Sequence, residues 1–342
     1  MLHTTLLRAR TLAIAALGAA LFWFANLPLP FLFGPMTACL VAALAGLEFK
    51  GFGPVSVGAR SILGVAAGAA VTTEVVARIP DMIATVALVP LYIILIGAIG
   101  VPFFRRLGYD RMTSWYAAMP GGLQDMILFG QEAGADVRAL SLIHATRVLI
   151  IVTIAPVMLV HFYDVSLNRP IGEPAATLPP FELAAMAAAA LIVWKGGQRL
   201  GLFGAAILGP LLLTTILSLT GIIHHRPPRE AILFAQFVIG IGIGVSYVGV
   251  TLQELRRFVA SGIAFVVLLA GLAAAFTEVI HLLGLAGPVE AFLAFAPGGQ
   301  AEMIVLAIVS GADIGYVIVH HLTRLFLVIL GAPIASRLVF RS

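Results

Sequence analysis

The chain has 342 residues, of which 61% are hydrophobic and only 11% are Asp, Glu, Lys or Arg. Soluble domains carry ~25% charged residues, so this composition, with a mean hydropathy of +1.08, excludes a water-soluble globular protein. The net charge of +4 suits an anionic membrane surface and is too scattered for a nucleic-acid partner, and the single Cys39 rules out an internal disulfide.

In chain order, apolar segments are predicted near residues 11–26, 33–48, 57–77, 82–104, 113–133 and 137–161. Arg8 and Arg10 precede the first run, which is expected to stay as a helix and not be cleaved as a signal peptide, because the apolar chain continues straight on. The stretch YDVSLNRPIGEPAATLPPFE, 163–182, is rich in proline and polar groups and reads as a linker. Six more apolar segments follow near 181–194, 201–223, 231–252, 258–284, 289–310 and 314–337. Thr11–Leu47, Met82–Phe104, Leu200–Ile223, Ala231–Gln253 and Phe258–Thr277 hold no charged side chain. Uninterrupted runs of ~18 or more such residues read as transmembrane helices. The expected fold is an all-α polytopic membrane protein.

The two sets of segments are copies. At a shift of 177 residues, Pro120-Gly121-Gly122 falls on Pro297-Gly298-Gly299, Asp125 on Glu302 and Met126 on Met303. Gly134-Ala135-Asp136 falls on Gly311-Ala312-Asp313, His144 on His321, Thr146 on Thr323 and Arg147 on Arg324. Upstream, Gly34-Pro35 matches Gly209-Pro210 at a shift of 175, and Gly64 and Gly68 match Gly240 and Gly244 at 176. The domain reading is a first membrane repeat over 1–162, the linker over 163–182 and a second repeat over 183–342.

Topology turns on the fifth segment of each copy. If it spans, the copies are parallel; if it is re-entrant, each copy crosses five times and the second is inverted. With the N-terminus cytoplasmic, inversion leaves only Arg78, Arg169, Arg226 and Arg229 outside, whereas the parallel arrangement leaves Arg78, Arg138, Lys195, Arg199, Arg256 and Arg257 there. Cytoplasmic loops collect Lys and Arg, so the expectation is two inverted repeats, each of about five transmembrane helices plus a Pro-Gly-Gly broken or re-entrant segment. Inverted repeats with interrupted helices belong to secondary transporters.

Irregular backbone at membrane depth survives only in a protein interior or along a cavity. The residues after each break read as helix starts, whose unpaired N–H groups make an anion site. The candidate substrate-binding residues are therefore Gly121, Gly122, Leu123 and Gln124 in one copy and Gly298, Gly299 and Gln300 in the other. Asp125 and Glu302, three residues into those helices, are read either as caps or as a proton or sodium site. HATR and HLTR place His144, Thr146 and Arg147, and His321, Thr323 and Arg324, within one helical turn each. Arg147 and Arg324, with Thr146 and Thr323, are candidate anion ligands, and His144 and His321 candidate proton carriers. The competing reading pairs Arg147 with Asp125 and Arg324 with Glu302 as structural ion pairs. Asp136 and Asp313 read as N-caps, and His224-His225-Arg226 shows no metal-ligand spacing.

With its two Pro-Gly-Gly…acid-Met phrases and their downstream His-x-x-Arg motifs, the sequence resembles the AbrB-type family of duplicated bacterial inner-membrane proteins over nearly its whole length. Members of that family are labelled both as regulators and as ammonia monooxygenases. The copies differ, with Leu-Gln-Asp in one and Gln-Ala-Glu in the other, so their equivalence is incomplete.

The expected function is secondary transport of a small anion such as a carboxylate, coupled to protons or sodium, in the bacterial inner membrane. A channel or signalling membrane protein is the alternative. A membrane-bound metal oxidase fits less well, because each repeated site holds one His beside an Arg that repels a cation. No enzyme activity, cofactor or metal is expected. The partners are a small anion, the coupling ion and the lipid bilayer, and a homodimer is compatible with the sequence.

Overall fold

The computed structural model describes residues 2–27, 29–167, 170–200 and 205–339. Every regular element among them is helical. In chain order the helices are α1 Leu2–Phe24, α2 Pro30–Leu44, α3 Pro54–Ala69, α4 Thr73–Ala77, α5 Ile79–Val86, α6 Leu88–Arg106, α7 Arg111–Ala118, α8 Leu123–Glu132 and α9 Val137–Phe162. There follow α10 Pro180–Ala188, α11 Trp194–Arg199, α12 Leu208–Leu219, α13 Arg229–Val245, α14 Leu252–Glu254, α15 Ala260–Leu282, α16 Pro288–Phe295, α17 Gln300–Ser310 and α18 Ile314–Val339. Among the described residues, five stretches are long and apolar enough to cross a bilayer: His3–Phe24, Ile79–Arg106, Val137–Phe162, Leu252–Leu282 and Ile314–Val339. This is a membrane protein.

The chain folds as two compact units, one of residues 1–76 and 167–250, the other of 77–166 and 251–342. Each unit takes its helices from both halves of the sequence, so the boundary of compactness runs across the predicted repeats of 1–162 and 183–342. The predicted linker holds one of the three passages between units, at 166–167, and α10 already begins inside it at Pro180. Asn168 and Arg169 of that linker, and residues 201–204 at the start of a predicted segment, lie outside the described residues.

In the first unit the glycines of the two halves do reciprocal work. A side chain on Gly64 or Gly68 of α3 would strike the backbone at Ile207 and Leu211, the N-cap and the first turn of α12. A side chain on Gly240 or Gly244 of α13 would strike Leu32 and Met36 of α2. Small residues let helix backbones approach closely, which is the main source of cohesion where lipid is as apolar as the side chains. The third segment of one half thus packs on the second segment of the other, in both directions.

The second unit holds α5–α9 and α14–α18. Its long helices α6, α9, α15 and α18 surround two pairs of short ones, α7 with α8 and α16 with α17.

Candidate functional site

Helix α7 stops at Ala118 and α8 restarts at Leu123, with Met119–Gly122 outside any helix between them and the backbone extended at Met119 and Gly122. Helix α16 stops at Phe295 and α17 restarts at Gln300, with residues 296–299 outside any helix. At ~1.5 Å per residue the arms are about 12–17 Å long, roughly half of a ~30 Å hydrocarbon core. Each pair closes on itself at its base. The Asp136 N–H at the head of α9 donates to Thr113 Oγ1 of α7 at 2.8 Å, and the Asp313 N–H before α18 donates to Glu290 Oε1 of α16 at 3.3 Å. The chain therefore enters and leaves each pair at one end, as a helical hairpin with its break at the tip.

Each glycine of a break makes room for one side chain of its own hairpin. A Cβ on Gly121 would collide with Met126, and one on Gly298 with Met303. A Cβ on Gly122 would collide with the Asp125 carboxylate, and one on Gly299 with that of Glu302. The spacing of the repeated phrase follows from this. The acid occupies the third helical position and folds back over the glycine that caps the helix, where the positive end of the helix dipole favours it.

The opposite problem arises at the end of the preceding half-helix. The carbonyls of its last turn and of the break beyond it have no intrahelical donor and lie in the interior. Arg147, 2% exposed, donates from Nη1 to the Met119 carbonyl at 3.1 Å and from Nη2 to that of Gly121 at 2.6 Å. Arg324, 6% exposed, donates from Nη1 to Ala296 at 2.9 Å and from Nη2 to Gly298 at 3.1 Å. The histidine one turn earlier takes the next carbonyl: His144 Nε2 donates to Tyr116 at 3.0 Å and His321 Nε2 to Leu293 at 2.9 Å. Every one of these contacts recurs at the 177-residue shift. The guanidiniums and the Tyr92 ring lie within electrostatic range of one another, and Gly298 abuts Ile151, one turn beyond Arg147 on α9. Tyr92 Oη also donates to the Phe295 carbonyl at 2.7 Å, at the second break.

A family model described as "Transition state regulatory protein AbrB" matches residues 31–340. The chain belongs to the AbrB family. Among its relatives, "Putative regulator AbrB" of Escherichia coli (strain K12) is 25% identical over 325 residues, 93% of this chain and 92% of that protein. "Uncharacterized protein YhjN" of Bacillus subtilis (strain 168) is 27% identical over 299 residues, 82% of this chain and 77% of that protein. No solved structure matches.

The remaining sequence candidates of this AbrB-family chain sit as follows. Gly121 and Gly298 are buried, and Gly122, Leu123, Asp125, Gly299 and Gln300 are half-buried, while Glu302 is buried. The Gln124 side chain lies outside the described residues. Gln300 Nε2 is buried without a hydrogen-bond partner. Thr146 packs its methyl side against Gly262 of α15, whereas Thr323 Oγ1 donates back to Val319 of its own helix at 2.8 Å. Asp136 and Asp313 do cap their helices, accepting from the Ala139 and Tyr316 N–H groups. His224 and His225 both turn onto Glu182, whose carboxylate also accepts their backbone N–H groups. Among the described residues, no three His, Cys, Asp or Glu side chains gather as a metal site. Sequence reasoning passed over Tyr92 and Glu182. Tyr92 is one hydroxyl in an apolar run, and only a partner more than two hundred residues away reveals its use.

Proposed function

We propose that this protein is a secondary transporter of a small anionic solute such as a carboxylate, built as two inverted repeats and working in the bacterial inner membrane with a proton or sodium gradient. The observation that carries the reading is the pair of half-length hairpins at opposite ends of one unit. The base of the first lies at the start of α15, where Tyr109 Oη meets Ser261 Oγ at 2.7 Å and Arg138 pairs with Glu254 at 2.7 Å. The second grows from the far end of α15 through Gly287 and Pro288, about 35 Å along at ~1.5 Å per residue. Hairpins entering from opposite faces with their tips inside are what inversion of a re-entrant segment produces, and interrupted helices of this kind form transporter sites.

The anion is held by the N–H groups at the starts of α8 and α17, with the Gln300 amide as a further donor. Thr146 and Thr323 flank the two arginines. Arg147 and Arg324 have committed Nη donors to the break carbonyls, which favours a positioning role over direct contact with the solute. Asp125 and Glu302 are the candidate coupling groups, with His144 and His321 behind them.

Two measurements test this. In a Cys39→Ala background, Arg106→Cys is expected to react with an impermeant thiol reagent from the cytoplasm and Leu283→Cys from outside; reaction of both from the cytoplasm sinks the inverted topology. Proteoliposomes are expected to accumulate a member of a labelled panel of mono- and dicarboxylates under an imposed gradient. Downhill flux without accumulation would make the protein a channel.

A further inference from the structure

Broken helices in transporters leave carbonyl oxygens of the unwound backbone at mid-membrane, and those oxygens are what a bound sodium ion usually takes. Here both sets of oxygens are already held by a positive charge. The Met119 and Gly121 carbonyls receive Arg147, and the Ala296 and Gly298 carbonyls receive Arg324. Both side chains are almost wholly buried, and both are covalently tethered through their own long helices. We propose that Arg147 and Arg324 are tethered cations filling the places a sodium ion would take at the two breaks, so that the gradient this protein uses is protonic and sodium plays no part. The proposal rests on the transport reading for its coupling half and on the geometry alone for its site half.

The arrangement has the features of a cation site except that the cation cannot leave. Two oxygens at each break converge on one planar group, which presents two parallel donors in a fork. The second copy is locked further, since Arg324 Nη2 also donates to His321 Nδ1 at 3.0 Å. A sodium ion entering either place would have to displace a guanidinium or sit beside one, and like charges in a low-dielectric interior repel strongly. The charged and titratable groups packed around the breaks are Arg147 and His144 on α9, Arg324, His321 and His320 on α18, Tyr92 on α6, and Asp125 and Glu302 at the starts of α8 and α17. Of these, the two carboxylates are the acids, and the Nη bonds of both arginines to the breaks run to main-chain oxygens and not through either carboxylate. A proton bound to Asp125 or Glu302 at one face and lost at the other is all the coupling requires.

The experiment begins with melting of the purified protein in sodium chloride and in choline chloride at equal ionic strength. The two curves are expected to coincide. Arg147→Ala and Arg324→Ala are expected to melt lower and to recover in part in millimolar guanidinium chloride, which refills the vacated place. If the alanine variants do not fold, Arg147→Lys and Arg324→Lys keep a charge there and are expected to fold with the same indifference to sodium. Sodium-specific stabilisation of the wild-type protein overturns the proposal, and so does an Arg324→Ala variant that melts like wild type. Uptake of the carboxylate panel supplies the other arm. Accumulation driven by a pH gradient without sodium supports the proposal; accumulation that needs sodium overturns it while leaving the transport reading intact. No accumulation under either gradient, with coincident melting curves, removes the transport reading and leaves the arginines assigned as tethered cations.

Discussion

The break at 119–122 and the break at 296–299 are near-copies, and their few differences separate what the fold needs from what one copy adds. Shared by both are the two collision-avoiding glycines, the arginine on two carbonyls and the histidine on a third. These solve problems any buried break has, namely orphaned carbonyls behind it and a crowded helix start ahead of it. The copies differ at His321, whose Nδ1 accepts from Arg324, whereas His144 Nδ1 and Arg147 Nε are buried with no hydrogen-bond partner. They differ again in the acid, buried at Glu302 and half-buried at Asp125. The leftover polar valences fall in different places: in the first copy on the His-Arg pair, in the second on the Gln300 amide at the helix start. The His-Arg pair is thus locked in one copy and looser in the other, within a duplicated frame.

The largest expected effect tests the shared part. Arg147→Met and Arg324→Met each strand two buried carbonyls, and about 2–4 kcal/mol of destabilisation is expected from either, read from unfolding of the purified protein in detergent. Unequal losses, with one near zero, would break the equivalence of the copies. Next come the glycines. Gly122→Ala and Gly299→Ala push a methyl into the end of the following acid side chain, which can swing aside more freely at the half-buried Asp125 than at the buried Glu302; a cost of about 1 kcal/mol is expected at Gly299 and less at Gly122. Adding Glu302→Ala to Gly299→Ala should return part of that loss in a double-mutant cycle.

Smaller effects sharpen the asymmetry. His321→Phe removes two hydrogen bonds and His144→Phe one, so the first is expected to cost about 1 kcal/mol more than the second; equal melting temperatures would mean that the Arg324–His321 bond contributes nothing. The smallest effect lies at the hairpin bases. Arg138–Glu254 at 2.7 Å and Arg78–Asp313 at 2.7 Å are partly exposed, so Arg138→Ala and Arg78→Ala should each cost about 0.2–1 kcal/mol. Both losses should shrink as salt is raised.

Much here was legible without coordinates. Composition alone sets the solvent, and the long charge-free runs choose helices over the other structure a bilayer allows, a closed barrel of alternating strands. The N-caps at Asp136 and Asp313 were readable too, since a cap bonds to a backbone three residues away and local spacing decides it. What local spacing does not carry is the partner of a long side chain. Sequence offered Arg147 either Asp125 or a substrate anion. The structure gives it the carbonyls of Met119 and Gly121, because a flexible side chain one turn past His144 reaches whatever unpaired acceptor the packed interior presents, and main-chain oxygens leave no trace in a list of residue types. For the same reason the compact units were not foreseen. Repeats are read along the chain, but cohesion is set by which glycine faces which backbone, and Gly64 with Ile207, or Gly240 with Leu32, meet only when helices of both halves have packed together.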